Sequence, residues 1–165
     1  MTSPFPPISR RTGRNRSRAL MMLLALTFAR TTIAQAQQGF EIGIKALGTA
    51  ARADFVGAGF EMGLRPGGRA RFAGILTAGA LDGHFGVRAE LLGHFLLNPA
   101  SSRPGIYAGG GLAGVAARGG EIGYVVLLLG LESHPGGRSG WALEAGIGGG
   151  LRLSAGYRWR RLKRR

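Results

Sequence analysis

The chain has 165 residues, 22 Lys and Arg against 8 Asp and Glu, 31 glycines and no cysteine. The missing cysteine excludes a disulfide framework, a thiolate nucleophile and a Cys-based zinc site. Glycine without a Gly-X-Y period, beside 45 % apolar residues, excludes collagen and a disordered chain. The length suits one domain, and no apolar run reaches the roughly 18 residues of a membrane-spanning helix.

Residues 1–36 have the three zones of a secretion signal. Arg10, Arg11, Arg14, Arg16 and Arg18 form a basic leader, Ala19 to Ala29 an apolar core, and Ala34-Gln35-Ala36 a small-residue cleavage site. Cleavage after Ala36 makes Gln37 the first mature residue. The Ser9-Arg10-Arg11 string lacks the apolar residues that follow a twin-arginine pair, so the signal reads as Sec-type. The leader takes six arginines and no acid, leaving 16 basic and 8 acidic residues, five of the bases in a basic tail at 160–165. The domain at 37–159 then carries too little positive charge for a nucleic-acid surface.

From Phe40 onward the chain breaks at turn chemistry and alternates with period two between the breaks. The breaks are 48–54, 65–68, Asp82-Gly83, 98–105, Gly119-Gly120, 133–140 and 148–150. They delimit eight predicted strands, at 40–47, 55–65, 69–81, 84–97, 105–118, 121–132, 141–148 and 150–159. Most are near the roughly 9–11 residues that a tilted strand needs to cross a bilayer. In the second strand Val56, Phe60, Met62 and Leu64 oppose Gly57, Gly59, Glu61 and Arg65. In the fourth, Phe85, Val87, Leu91 and Phe95 oppose His84, Arg88, Glu90 and His94. In the seventh, Trp141, Leu143 and Ile147 oppose Ala142 and Glu144, and in the eighth Leu151, Leu153, Tyr157 and Trp159 oppose Arg152, Ser154 and Arg158. The sixth is apolar on both faces; a Gly119-Gly120 hairpin pairing Arg118 with Glu121 sends Val125, Leu127, Leu129 and Leu131 outward.

Each of these strands has an apolar face and no helix is available to cover it. The fold class is therefore all-β: an eight-stranded antiparallel up-and-down transmembrane barrel, its apolar face toward lipid and its edges closed. Trp141, Tyr157 and Trp159 near strand ends suit membrane-interface aromatics. The inward charges, Glu41, Lys45, Glu61, Arg65, Arg88, Glu90, Glu144, Arg152 and Arg158, are expected to form a lumen ion-pair network, because an unpaired charge in so narrow a space is desolvated without compensation. Eight strands leave no open channel, so the network is expected to plug the barrel.

The runs IYAGGGLAGV (106–115), YVVLLLGLE (124–132) and WALEAGIGGGLRLSAGYRW (141–159) resemble the closing strands of the small outer-membrane β-barrel proteins of Gram-negative bacteria, the OmpA-like and opacity-like group. The resemblance implies residence in the outer membrane, outer-membrane lipid as surroundings, and insertion by an assembly machine that reads the last strand, with Trp159 as its terminal aromatic. It also implies a structural, membrane-integrity role in a monomer, without nucleic acid or cofactor.

Some barrels of this size are lipid A deacylases or acyltransferases, which makes a lipid A hydrolase an alternative. Glu132-Ser133-His134 is the only tight cluster suited to it. Those neighbours lie in a turn and point in different directions, whereas a triad needs converging side chains. His84 and His94, ten apart on one strand and so about 30 Å from each other, share no metal. No catalytic residue is expected. The other alternative, a soluble periplasmic or secreted lipocalin-like barrel holding a small apolar ligand, requires the inverse phase, apolar inside and polar outside. With the first strand running outward, the longer connections, 98–105 and 133–140, fall on the periplasmic side, against the usual asymmetry.

Overall fold

The computed structural model describes residues 38–162 other than Arg52, Ala53 and Gly119. The expected signal segment with Ala34 and Ala36, and residues 163–165 of the tail, lie outside the described residues. Eight strands follow one another: β1 (Gly39–Ala50), β2 (Phe55–Gly67), β3 (Ala70–Leu81), β4 (His84–Leu96), β5 (Gly105–Ala117), β6 (Gly120–Glu132), β7 (Ser139–Ile147) and β8 (Leu151–Leu162). Each pairs antiparallel with the next, and β8 pairs with β1, closing the barrel.

The ladder is staggered. Cross-strand partners lead from Phe40 through Leu64, Phe72, Gly93, Gly110, Leu127, Ile147 and Leu151 back to β1 at Ala50, ten positions from the start. Such a stagger is what tilts the strands of a closed sheet and fixes its bore. One rim, here called near, carries both ends of the barrel strand order, Gly39 and Leu162, and the connections after β2, β4 and β6; the far rim carries the others.

Period two decides the faces. Phe40, Ile44, Phe60, Leu76, Phe85, Leu91, Leu112, Leu129 and Leu153 are all exposed on the outside, while most of the alternate positions are buried or half-buried, His84 and Ile122 near the far rim being exposed. This is the phase expected of a membrane barrel and the inverse of the one a lipocalin-type barrel requires. The interior is not uniformly polar, however. Ile75, Leu92, Leu96, Ala113, Val126 and Leu128 pack with Tyr107 on the β3–β6 side. The inner face of β6, apolar on both sides in sequence, fills that part of the bore.

Three local expectations change. Asp82-Gly83 does form a two-residue hairpin, with φ of 49° and 78° as the right-handed twist of the flanking strands demands. The β5–β6 register instead pairs Ala116 with Glu121, and Ala117 with Gly120, so Arg118 is not opposite Glu121. At β7–β8 the turn is centred on Gly149, at φ 79°, and not on Gly148; Ser154 stands opposite Glu144 and Arg152 opposite Gly146. Both shifts are by two residues and so leave every side chain on its expected face. Third, β8 runs beyond Trp159 to Leu162, which makes Arg160 a lumen residue and not part of a tail.

Candidate functional site: the charged lumen

The nine charged residues expected in the lumen are all buried, none more than 5 % exposed. Arg71, Glu132 and Arg160 join them. Among the described residues five carboxylates thus face seven cations, arranged as a column along the bore.

Toward the near rim, Glu132 (β6) gathers Arg65 Nη2 at 2.9 Å, Arg71 Nη1 at 3.2 Å and Arg160 Nη2 at 3.0 Å. Glu41 (β1) contacts Arg65 and lies 3.3 Å from Arg160 Nε. In the middle, Glu144 (β7) is the hub. It contacts Lys45 Nζ at 3.0 Å, Arg152 Nη1 at 3.0 Å and Arg158 Nη2 at 2.9 Å, and it accepts hydroxyl hydrogens from Tyr107 at 2.7 Å and Ser154 at 2.8 Å. Glu61 (β2) bridges Lys45 at 2.9 Å and Arg158 Nε at 2.8 Å. Toward the far rim, Glu90 (β4) holds Arg88 Nε at 2.8 Å and Arg152 at 2.7 Å, while Arg88 Nη2 donates to the carbonyl of Gly148 at 2.9 Å. Arg158, 3.2 Å from Glu132, and Arg152 link the tiers, so the column is continuous.

Two features let so many charges fit. Glycine alternates with charge along the inner face of β2, leaving volume for side chains that cross the bore. Gly130, opposite Tyr107 on β5 and Glu144 on β7, has the tightest such role: a Cβ there would run into the Tyr107 ring. Tyr107 therefore lies flat across β6 and reaches Glu144. Its ring also faces the guanidinium of Arg71 at 4.7 Å and that of Arg158 at 5.7 Å, within cation–π range. His94 packs edge-on against it at 5.2 Å and accepts from Arg71 Nε at 3.3 Å through Nδ1, which puts its own hydrogen on Nε2.

The near rim is closed by the two longer connections. Arg65 Nη1 donates to the carbonyl of Pro135 at 2.9 Å and Arg160 Nη1 to that of His134 at 2.8 Å. Gly136 N donates to Ser101 O at 3.0 Å, tying the connections together, and Pro99 and Pro135 are buried. Their length at this end follows: short turns would not span the mouth.

The remaining sequence candidates separate. Glu132 points into the column, the Ser133 hydroxyl accepts the Trp141 N–H at 3.1 Å, and His134 is exposed, so the three do not converge. His84 shares the inward parity of β4 but stands exposed at the far rim, its Nδ1 3.1 Å from Asp82 O, while His94 is deep in the lumen. Trp141, Tyr157 and Trp159 cluster on the outside near the near rim; the Tyr157 and Trp159 rings meet edge-on at 5.1 Å.

No protein-family model matches the chain, and no curated protein matches it. Among solved structures it is similar to the N-terminal β-barrel domain of Pseudomonas aeruginosa OprF, at 15 % identity and a TM-score of 0.56, over 73 % of this chain and 97 % of that one. At this identity the likeness is one of fold: the chain forms a closed eight-stranded antiparallel barrel similar to that domain's.

Proposed function

We propose that the chain is an outer-membrane β-barrel protein with a structural, membrane-integrity role, its lumen plugged by side chains and without a catalytic centre. The observation that carries this reading is the opposition of its two linings. Large apolar side chains stand exposed around the outside, and twelve charged ones are buried within. A soluble monomer rarely exposes a contiguous apolar patch beyond about 300–600 Å², and a belt running right round a barrel exceeds that. In lipid the same belt is satisfied, and the closed ladder leaves no unpaired edge between β8 and β1.

The ion-pair column supports plugging, because each carboxylate is already held by cations from other strands. Outer-membrane lipid and the machinery that assembles such barrels are the partners on this reading. The ladder closes within one chain and needs no second copy, which favours a monomer.

Fractionation tests the proposal. The protein is expected in the outer-membrane fraction, resistant to urea or carbonate washing and released by detergent. Recovery in the soluble periplasm without detergent would end it.

A further inference from the structure

Outside the lumen the charges are sorted by end. The exterior acids among the described residues, Asp54, Asp82 and Glu121, all stand at the far rim, with Arg118 beside them. At the near rim every connection and the last strand carry one exterior arginine: Arg69 between β2 and β3, Arg103 between β4 and β5, Arg138 between β6 and β7, and Arg161 on β8. No exterior acid accompanies them there. Every ion pair among the described residues is made inside the lumen, so these four guanidinium groups have no carboxylate partner.

Their placement against the apolar belt is the second observation. The Arg69 guanidinium lies 5.9 Å over the ring of Phe95, an outward residue of the belt. On β8, Tyr157, Trp159 and Arg161 follow one another on the outer face, two interfacial aromatics and then a cation. Arg138 adjoins Ser139, whose cross-strand partner is Trp159. At these points the cation stands where hydrocarbon gives way to headgroups, the level at which a phosphodiester lies. A guanidinium presents paired N–H donors that match two phosphate oxygens, and it loses less on desolvation than an ammonium.

We propose that the near rim is a docking ring for anionic phospholipid headgroups, in which Arg69, Arg103, Arg138 and Arg161 bind lipid phosphates around the barrel. The inference rests on the membrane-barrel reading and goes beyond it by naming the lipid class and the end that recruits it.

Both tryptophans of the chain, Trp141 and Trp159, lie beside this rim and report on it. The full-length barrel is placed in phosphatidylcholine vesicles containing a small fraction of brominated phosphatidylglycerol or, in parallel, brominated phosphatidylcholine. Tryptophan quenching then gives the relative occupancy of the two lipids at the rim. The expected result is a preference for phosphatidylglycerol of about fivefold or more, one basic side chain at a membrane surface accounting for about that much. The preference should fall toward unity when R69Q, R103Q, R138Q and R161Q are combined with K163Q, R164Q and R165Q, survive when K163Q, R164Q and R165Q are made alone, and survive in the far-rim control R118Q.

Equal quenching by the two lipids in the intact chain would overturn the docking ring while leaving the membrane barrel standing. Quenching by neither would remove both. Loss of the preference on adding inorganic phosphate at constant ionic strength would also overturn it, since the site would then be one for free phosphate.

Discussion

Glu144 and Arg152 meet at 3.0 Å although they are not cross-strand partners: Ser154 stands opposite Glu144, and Arg152 reaches it diagonally from two residues along β8. The diagonal leaves Arg152 free to hold Glu90 on β4 as well, at 2.7 Å, so one guanidinium joins two tiers of the column. Glu144 in turn faces Lys45 and Arg158. Removing the carboxylate by Glu144→Leu takes one partner each from Lys45, Arg152 and Arg158, which keep Glu61 and Glu90, and leaves the buried column one more cation in excess, which is expected to cost about 3–5 kcal/mol. Arg152→Leu added to it relieves only one of the three and deprives Glu90 of a partner, so the double variant should recover part of the loss, with a coupling of about 0.5–3 kcal/mol. Urea unfolding in lipid vesicles, followed by tryptophan fluorescence, measures all corners of the cycle; additive losses would deny that the pair interacts.

Gly130 supplies an independent check on the same hub. In Gly130→Ala the new methyl meets the Tyr107 ring, which has apolar packing behind it and cannot swing away without leaving Glu144. Overpacking of this kind costs about 1–3 kcal/mol. Tyr107→Phe removes only the 2.7 Å hydrogen bond to a carboxylate, for which about 1.5–3 kcal/mol is expected. If the ring is what Gly130 accommodates, Gly130→Ala should be largely rescued by Tyr107→Leu; no rescue would place the strain elsewhere.

The faces of the strands are legible in the sequence because period two is a local signal, and parity alone puts all nine expected lumen charges on the inner face. Register could not be read in the same way. A slip of two residues keeps every side chain on its face, so alternation alone does not fix the centre of the β5–β6 or the β7–β8 turn. Arg160 reads as tail because it opens the basic run at 160–165, although it stands two residues past Arg158 on the same parity. Glu132 reads with Ser133 and His134 as neighbours in a turn, whereas it is the last inward residue of β6. The capping of the near rim was illegible for a different reason: its acceptors are the carbonyls of His134 and Pro135, and every residue has one.

The column of ion pairs makes a prediction about conduction. The intact barrel in a planar bilayer should pass no steady current, because Glu61, Glu132 and Glu144 are each bridged by Arg158 at 2.8, 3.2 and 2.9 Å. Arg158→Ala vacates the volume of one guanidinium at the centre of the bore yet leaves each carboxylate another cation: Lys45 for Glu61 and Glu144, and Arg65, Arg71 and Arg160 for Glu132. The variant should therefore fold and show discrete current steps that the parent lacks. Steady conduction by the parent would mean that the column is not a plug.

The assignment of faces, on which the membrane reading depends, has its sharpest test on β7 and β8. Leu143 is 49 % exposed in the middle of β7, whereas the neighbouring Ala142 is 1 % exposed and turned inward. Leu143→Arg should cost about 2–4 kcal/mol, the range for a cation near the bilayer midplane. Leu153, also outward, lies only two residues from the far rim on β8, so Leu153→Arg should cost less, toward the 0–1 kcal/mol or so found near an interface. Ser154 responds to different chemistry, since its hydroxyl donates to Glu144 at 2.8 Å in a space already occupied by Arg152 at 3.4 Å. Ser154→Ala should lose about 1.5–3 kcal/mol with that hydrogen bond, and Ser154→Arg should prevent closure of the lumen. Cysteine-linked fluorophores at the outward positions 143 and 153 should be quenched by a lipid-soluble nitroxide and not by a water-soluble one; the reverse pattern would turn the barrel inside out and remove the membrane from the proposal.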